Sequence, residues 1–439
     1  MDYIQNFIFF ILLSFSIGLF IRNTNRIIRN IKLGKDINRN DQKKKRWIHM
    51  ASVALGQSKM IIRPISGFLH FVVYIGFILI NIELLEIIID GLFGSHRIFA
   101  PFLGSFYNIL TAVFEVLAFL VLIAVIFFWS RRNIIKIKRF WKPEMKGWPK
   151  NDADIILYFE VILMLLFLSM NATDSLLQSI DSSHYTKAGF FPISQFLTPL
   201  FDGFQIESLI ILERTFWWMH IIGIFIFLNY LYYSKHLHIL LAFPNTYFSN
   251  LNSKGKFEVD QNIKNEVQLM LDPNKKSSNN SIPPEKFGSS DVFDLNWVQL
   301  MNAYSCTECG RCTSACPANL TGKKLSPRKI MMDTRDRLEE VGKNININGD
   351  FKPDGKQLLN DYISSEELWA CTSCNACLDS CPIEIDPLSI IMDMRQYLVM
   401  EESAAPLELN TMMGNIENNG APWPFSNQDR LQWVDEQSN

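Results

Sequence analysis

The stretch Cys306-Thr-Glu-Cys309-Gly-Arg-Cys312-Thr-Ser-Ala-Cys316-Pro317 recurs as Cys371-Thr-Ser-Cys374-Asn-Ala-Cys377-Leu-Asp-Ser-Cys381-Pro382. The two copies contain all 8 cysteines of the 439-residue chain. Each copy has the pattern CxxCxxCxxxCP, and neither copy contains a histidine. The spacing of these thiols, which is the same in both copies, decides the chemistry of the C-terminal part of the chain.

Three thiolates on one tight turn can wrap a [4Fe-4S] cubane, and in this pattern the fourth cysteine binds the other cluster. The predicted ligands of cluster one are Cys306, Cys309, Cys312 and Cys381, and those of cluster two are Cys371, Cys374, Cys377 and Cys316. Soft thiolates also bind zinc, but structural zinc sites usually pair two CxxC units and lack a third cysteine at the same short interval. The pattern therefore favours two [4Fe-4S] clusters.

The N-terminal part of the chain is a membrane domain by composition. Hydrophobic residues make up 48% of the sequence, and the mean hydropathy of +0.08 averages an apolar first 245 residues with a polar remainder. Crossing a hydrocarbon core of about 30 Å takes around 20 helical residues. Five segments are long enough: Tyr3 to Ile21, Arg63 to Asp90, Ser105 to Ser130, Asp154 to Asn171 and Ser208 to Phe243. Arginines rather than a cleavage site follow the first, so we expect it to remain as a helix.

The loops between these segments differ in charge. The two loops after the first and third segments are rich in Lys and Arg, whereas the other two offer essentially Arg97 and Lys187. Because basic loops stay in the cytoplasm, the N-terminus is predicted outside and everything past Phe243 inside. Thiols stay reduced there, which disfavours disulfides. The net charge of -2 gives no global basic field for nucleic acid.

The sequence predicts an all-α protein with four parts: a five-helix transmembrane bundle (1–245), a linker (246–290), a cytoplasmic α-helical ferredoxin domain (291–402) and a tail (403–439). The linker is rich in Asn, Ser, Lys and Pro, as in Asn279 to Pro284. Within the ferredoxin domain, helices are expected at Asp291 to Tyr304, Ser326 to Glu340 and Pro387 to Met400.

Histidines inside membrane segments are candidate functional residues. His70 lies seven residues after Arg63 and His238 five residues before Phe243, so both are near the cytoplasmic ends of antiparallel helices. We expect them to ligate one haem b, with Arg63 and Lys235 placed to meet its propionates. The alternative is that the histidines are satisfied polar residues of a helix bundle.

A second haem has weaker support. On a continuous fifth helix, His220 and His238 share a face about 27 Å apart, and His236 points away from it. His96, folding back from the loop after Asp90, is the candidate partner of His220.

The cysteine region resembles the α-helical ferredoxin domain of the small Fe-S subunits of succinate dehydrogenase and heterodisulfide reductase. The segments Gly67-Phe-Leu-His70-Phe-Val-Val-Tyr-Ile-Gly76-Phe77, Trp217-Trp218-Met219-His220 and Tyr233-Ser-Lys-His-Leu-His238 resemble the cytochrome b subunit of respiratory nitrate reductase and of membrane heterodisulfide reductase. Together the chain resembles a fused membrane and ferredoxin subunit of a heterodisulfide-reductase-like Fe-S oxidoreductase. Ile80 stands where the second helix-two histidine of that family would lie.

The resemblance implies an electron-transfer subunit in the bacterial inner (cytoplasmic) membrane. It would pass electrons between a cytoplasmic redox partner, two [4Fe-4S] clusters, haem b and the quinone pool. The cysteine-rich CCG domain of the family is absent, so the substrate site is expected on another chain, a CCG-domain Fe-S subunit or an electron-transfer flavoprotein. A haem-free Fe-S membrane anchor and a redox-sensing membrane protein are the alternatives. A transporter would show an inverted repeat, and none is found.

Overall fold

The computed structural model describes residues 2–180, 185, 187–253, 255–257, 261–272 and 286–437. Within these residues every regular element is a helix and no strand is formed, which confirms the all-α prediction. The helices are α1 Asp2–Ile31, α2 Lys43–Met50, α3 Pro64–Phe93, α4 Ala100–Leu103, α5 Ser105–Asn133, α6 Trp148–Ile180, α7 Ile206–Tyr230, α8 His238–Tyr247, α9 Gln261–Leu271, α10 Trp297–Ser305, α11 Arg311–Ala315, α12 Pro317–Leu320, α13 Pro327–Asn348, α14 Leu358–Asp361, α15 Ser365–Trp369, α16 Ala376–Ser380, α17 Pro387–Met400, α18 Leu407–Asn419 and α19 Gln432–Gln437.

The five predicted membrane segments are confirmed as helices long and apolar enough to cross a membrane: α1, α3, α5, α6 and α7. Helix α6 packs between α5 and α7, α3 packs on α5, and α1 lies against α3 and α7. The bundle core is aromatic at its centre, where Phe9, Phe114, Phe167 and Trp217 are buried together. Large apolar side chains such as Phe68 cover the outward faces, as contact with lipid requires.

The predicted fifth helix, continuous from Ser208 to Phe243, is wrong. Helix α7 ends at Tyr230, and two short 3-10 turns, Leu231–Tyr233 and Lys235–Leu237, separate it from α8. Ser234 between the turns is extended (φ -113°, ψ 156°), and its hydroxyl accepts a hydrogen bond from the backbone N–H of His236. The backbone N–H of Lys235 donates to the Asp152 carboxylate of α6 at 3.0 Å. One side chain within the segment, Ser234, and one from α6, Asp152, therefore satisfy backbone N–H groups where the helix breaks.

Helices lie where the three were predicted in the ferredoxin domain, but α10 begins at Trp297 rather than Asp291 and α13 continues to Asn348, while α17 has the predicted bounds. Asn296 and Gln299 form a capping box at the start of α10, and the Ser326 hydroxyl caps α13. The core is built from fully buried aliphatic residues, among them Leu300, Ile330 and Ile391. Ile27 of α1 belongs to the same core, because α1 extends ten residues past the predicted end at Ile21.

The ferredoxin domain packs against the end of the bundle that carries the two basic loops. The buried Arg328 guanidinium of α13 donates to the Glu144 carboxylate at 2.6 Å and to the Arg139 carbonyl at 2.7 Å, both in the loop between α5 and α6. The Asn30 amide of α1 donates to the Tyr304 hydroxyl at 2.8 Å. In the predicted linker, α9 forms a helix, whereas residues 279–284 lie outside the described residues.

Candidate iron-sulfur and haem centres

The two cysteine motifs have the same backbone conformation as well as the same spacing. Glu308 and Ser373, between the first two cysteines of each motif, have left-handed φ values of 54° and 55°. The residue after the second cysteine is again left-handed, Gly310 at 68° and Asn375 at 59°. A five-residue helix follows in both, α11 or α16, and each ends at the fourth cysteine. The internal repeat is therefore a repeat of loop geometry.

The fourth cysteines lie with the opposite motif. The Cys312 thiol interacts electrostatically with those of Cys306, Cys309 and Cys381, and more weakly with that of Cys377 from the second motif. Correspondingly, the thiols of Cys371 and Cys377 both interact with that of Cys316, and Cys371 also with that of Cys374. The short helices α11 and α16 pack on each other and hold the two groups side by side. This is the crossed grouping that the predicted ligand sets require.

The first group of thiols, Cys306, Cys309, Cys312 and Cys381, lies in an environment that favours thiolates bound to metal cations. Burial raises the pKa of Cys306 to about 12 and that of Cys381 to about 11. Since a buried thiolate is costly without a positive partner, iron ions would supply the charge that stabilises it. In the second group Cys374 is exposed, whereas Cys316 and Cys377 are buried. The donor set and its burial fit two cubanes.

The first cysteine loop docks on the membrane domain. The Arg311 guanidinium donates to the Lys59 carbonyl at 3.4 Å and to the Met60 sulfur at 2.7 Å, just before α3. Arg63, at the start of α3, donates to the Ser314 hydroxyl at 3.0 Å. Arg311 is close enough to interact electrostatically with His70. The first group of thiols therefore lies against the bundle end that holds His70.

His70 and His238 meet at this end, with ring centroids 6.5 Å apart. Two imidazoles bound on opposite sides of one iron, with metal–nitrogen bonds of about 2 Å, have centroids about 6 Å apart. The Nδ1–H of His238 donates to the Lys235 carbonyl at 3.1 Å, which leaves its Nε2 as the free ligand atom. The buried Nδ1 of His70 has no hydrogen-bond partner within the described residues. The two imidazoles would be able to hold one haem iron between them.

The structure does not bring His96 to His220. The Nε2 of His96 lies 2.9 Å from the Asp174 carboxylate, and its ring packs on Tyr185. His220 lies deeper in the bundle, where its Nδ1–H donates to the Leu163 carbonyl of α6 at 3.1 Å. The predicted partnership of these two histidines is therefore not found: the loop after α3 folds back into the bundle, but His96 binds Asp174 there while His220 lies against Leu163.

The break after α7 also corrects the predicted positions of His236 and Lys235. His236 points inward, with its ring centroid 5.5 Å from that of His238, so the prediction that it points away is wrong. Lys235 was expected at a propionate, but its ammonium pairs with the Glu308 carboxylate at 2.5 Å. Arg335 of α13 binds the same carboxylate at 2.8 Å. Although burial opposes ionisation, Lys235 and Arg335 hold the pKa of Glu308 below its ordinary value.

Sequence reasoning missed the contacts that fasten the cysteine loops to the bundle. Glu308, only 3% exposed, joins the first loop to Lys235, and Glu384, three residues after Cys381, binds His49 and Lys59. The sequence offered one indication of the role of Glu308, which is that a charged residue lies inside a cysteine motif. Glu384 offered none, because its partners lie more than 300 residues away in sequence.

Comparison with known proteins agrees with the cysteine chemistry. Residues 305–385 match a family described as a 4Fe-4S dicluster domain. The chain is 30% identical over 460 residues to the "Probable iron-sulfur-binding oxidoreductase FadF" of Bacillus subtilis, covering 98% of this chain and 60% of that protein. It is 27% identical over 427 residues to the "EtfAB:quinone oxidoreductase" of Syntrophomonas wolfei, covering 91% of this chain and 55% of that protein.

A shorter similarity links the chain to a heterodisulfide reductase. One component of the ferredoxin/F(420)H(2)-dependent CoB-CoM heterodisulfide reductase of Methanosarcina acetivorans is 29% identical over 119 residues, 27% of this chain and 60% of that component. No solved structure matches the chain. The chain spans less than two thirds of the length of the first two relatives. Over nearly its whole length it is similar to a probable iron-sulfur-binding oxidoreductase, and its residues 305–385 match the 4Fe-4S dicluster family.

Proposed function

We propose that this chain passes electrons between a cytoplasmic redox partner and the quinone pool through two [4Fe-4S] clusters and one haem b. Cluster one would be held by Cys306, Cys309, Cys312 and Cys381, and cluster two by Cys371, Cys374, Cys377 and Cys316. His70 and His238 would ligate the haem. The iron centres supply the redox chemistry when bound, and the chain sets their positions and their electrostatic surroundings.

One observation carries this proposal: the loop that holds cluster one docks directly on the bundle end where His70 and His238 face each other. Arg311, between Cys309 and Cys312, touches the segment before α3 and acts electrostatically on His70. Because the first loop docks on the bundle and Cys374 of the second group is exposed, the proposed order from surface to membrane is the second group, the first group and the histidine pair. Redox centres in this order would carry electrons stepwise from the surface of the ferredoxin domain to the membrane.

The partners and the location follow from the basic loops and the relatives. Because the ferredoxin domain lies at the same end of the bundle as the basic loops, the positive-inside rule favours a cytoplasmic ferredoxin domain and an outside N-terminus in the bacterial inner membrane. The name of the Syntrophomonas relative points to an electron-transfer flavoprotein as partner and a quinone as acceptor. A CCG-domain Fe-S subunit is the alternative partner. In either case the substrate site of the oxidoreductase lies outside the residues described.

The test of the haem is the reduced-minus-oxidised visible spectrum of the purified full chain. Wild type should show b-type bands, and His70→Ala and His238→Ala should each abolish the same low-spin signal while the iron-sulfur absorbance remains. His96→Ala is the matched control, because that side chain binds Asp174 at the other end of the bundle, and its spectrum should equal that of wild type. Absence of b-type bands from wild type would refute the haem and favour the haem-free anchor.

A further inference from the structure

Two cavities in the membrane domain are not used by the clusters or by the His70–His238 pair. The inner cavity, about 140 Å³, lies among α3, α5, α6 and α7, with apolar walls such as Val73, Leu84 and Phe167. The outer cavity, about 320 Å³, lies at the opposite end of the bundle from the ferredoxin domain and has a polar lining that includes Asp174 and Arg97. The two cavities adjoin each other, but one has a mainly apolar lining and the other a polar lining.

The inner cavity is close to the electron-transfer groups. Its wall contains His236, whose ring centroid is 5.5 Å from that of His238. His220 also lines it, and because the Nδ1–H of His220 donates to Leu163, its Nε2 remains free to accept a hydrogen bond. The Glu160 carboxylate lies 3.8 Å from the Nε2 of His236. An apolar cavity with a few polar groups is what a flat, amphipathic ring compound needs.

The inner cavity also borders the lipid. Two residues of its wall on α3, Phe77 and Asn81, are exposed on the outward face of the bundle, Phe77 by 47%. The Asn81 amide donates to the Phe77 carbonyl within the helix. A hydrophobic compound dissolved in the bilayer could therefore enter between these side chains without crossing water.

Glu83 of α3 lines both cavities. It is 3% exposed, its Oε2 has no hydrogen-bond partner within the described residues, and its Oε1 lies 3.9 Å from the Arg97 guanidinium. Glu86, one turn further along α3, is used structurally: it accepts hydrogen bonds from the Phe99 N–H and the Tyr107 hydroxyl. Glu83 thus combines burial, a free oxygen and a position between a polar and an apolar cavity.

We propose that the inner cavity binds the head group of a quinone and that Glu83 carries protons between this head group and the outer cavity. This inference rests on the proposed quinone-linked function. Reduction of one quinone takes up two electrons and two protons and converts its two carbonyl oxygens into hydroxyls. The two electrons would be supplied by the redox centres of the proposed function. The protons come from water on the outer side, and Glu83 gives up and regains one proton twice per quinone.

The first experiment measures binding of a 2-methyl-1,4-naphthoquinone with one isoprenyl unit to the full chain in lipid nanodiscs, corrected for empty discs. Ile80→Trp fills the inner cavity and should weaken binding about tenfold or more. Ile78→Trp is the matched control on the same helix, since Ile78 is 44% exposed and lines neither cavity. Equal binding of the quinone by Ile80→Trp and wild type would overturn the assignment. Loss of a second haem in His220→Ala would also overturn it, because His220 would then be a haem ligand.

The second experiment follows reoxidation of the dithionite-reduced chain by the same quinone in stopped flow. Glu83→Gln should bind the quinone like wild type but react about tenfold to a hundredfold more slowly. Reoxidation by ferricyanide, which takes up an electron without a proton, should be unchanged. Glu207→Gln, at an exposed position outside both cavities, should match wild type.

Unchanged quinone kinetics in Glu83→Gln, or an equal slowing with ferricyanide, would overturn the proton role. If quinone fails to reoxidise the wild-type chain although its clusters and haem are present, the proposed function itself fails. A different result is that quinone reoxidises the wild-type chain and the variants at the same rate. That result would refute the cavity assignment alone.

Discussion

Replacing Glu384 with glutamine should loosen the segment that follows Cys381 by about 3 kcal/mol. Burial alone would raise the pKa of this carboxyl, but hydrogen bonds from His49 and Lys59 outweigh burial and lower its pKa from 4.5 to about 2. At 1.36 kcal/mol for each pKa unit, the ionised form stabilises the folded state by about 3 kcal/mol. The Glu384 side chain is 13% exposed, so solvent screens the pair only weakly.

The measurement is hydrogen exchange of the peptide that covers residues 381–387, with the full chain in nanodiscs at neutral pH. A loss of about 3 kcal/mol predicts exchange about a hundredfold faster in Glu384→Gln if this segment opens locally. Glu366→Gln is the control, because Glu366 pairs with Lys324 on the surface and both side chains are more than half exposed.

The sign of the pH dependence provides a second check. Because folding lowers the pKa of Glu384, its stabilisation is complete above about pH 4.5 and is lost as the pH falls toward about 2. The difference between wild type and Glu384→Gln should therefore shrink in that range. Unchanged exchange at neutral pH, or a difference that grows on acidification, would refute the role given to the His49–Glu384–Lys59 contact.

Three other predictions concern the cysteine loops and the topology. Cys316→Ser should damage the cluster of the second motif and lower the non-haem iron from about eight atoms toward four. EPR showing damage to the first motif's cluster instead would contradict the crossed ligand sets. Gly310→Ala should destabilise its loop by about 1–2 kcal/mol or more, because φ is +68° and the added Cβ would lie 2.5 Å from the Arg328 guanidinium. Cluster loss on heating should come at a lower temperature. Gly414→Ala is the control, because Gly414 lies within helix α18 and an added Cβ there meets no neighbour. A reporter fused after Phe243 should be active only in the cytoplasm, and external activity would refute the orientation.

The sequence determined the features that depend on neighbouring residues alone. Inside a bilayer the backbone must satisfy its own hydrogen bonds, so long apolar runs have to be helices, and the five membrane helices could be located from composition. The cysteine loops were equally predictable, because three thiols within seven residues and the left-handed positions between them form one local turn. Matched depth on antiparallel helices was enough to single out His70 and His238, which the structure brings within 6.5 Å.

Only the tertiary structure decided where the fifth apolar segment stops being helical. Its hydropathy continues past Tyr230, but the Asp152 carboxylate and the Ser234 hydroxyl take over the backbone N–H groups of Lys235 and His236. Glu308 holds the Lys235 ammonium at the same point. Asp152 and Glu308 are distant in sequence, and no periodicity in the segment indicates them. The break turns His236 toward the inner cavity and sets the distance between the cysteine loop and the histidine pair, so the relation of the two domains is a property of the folded chain.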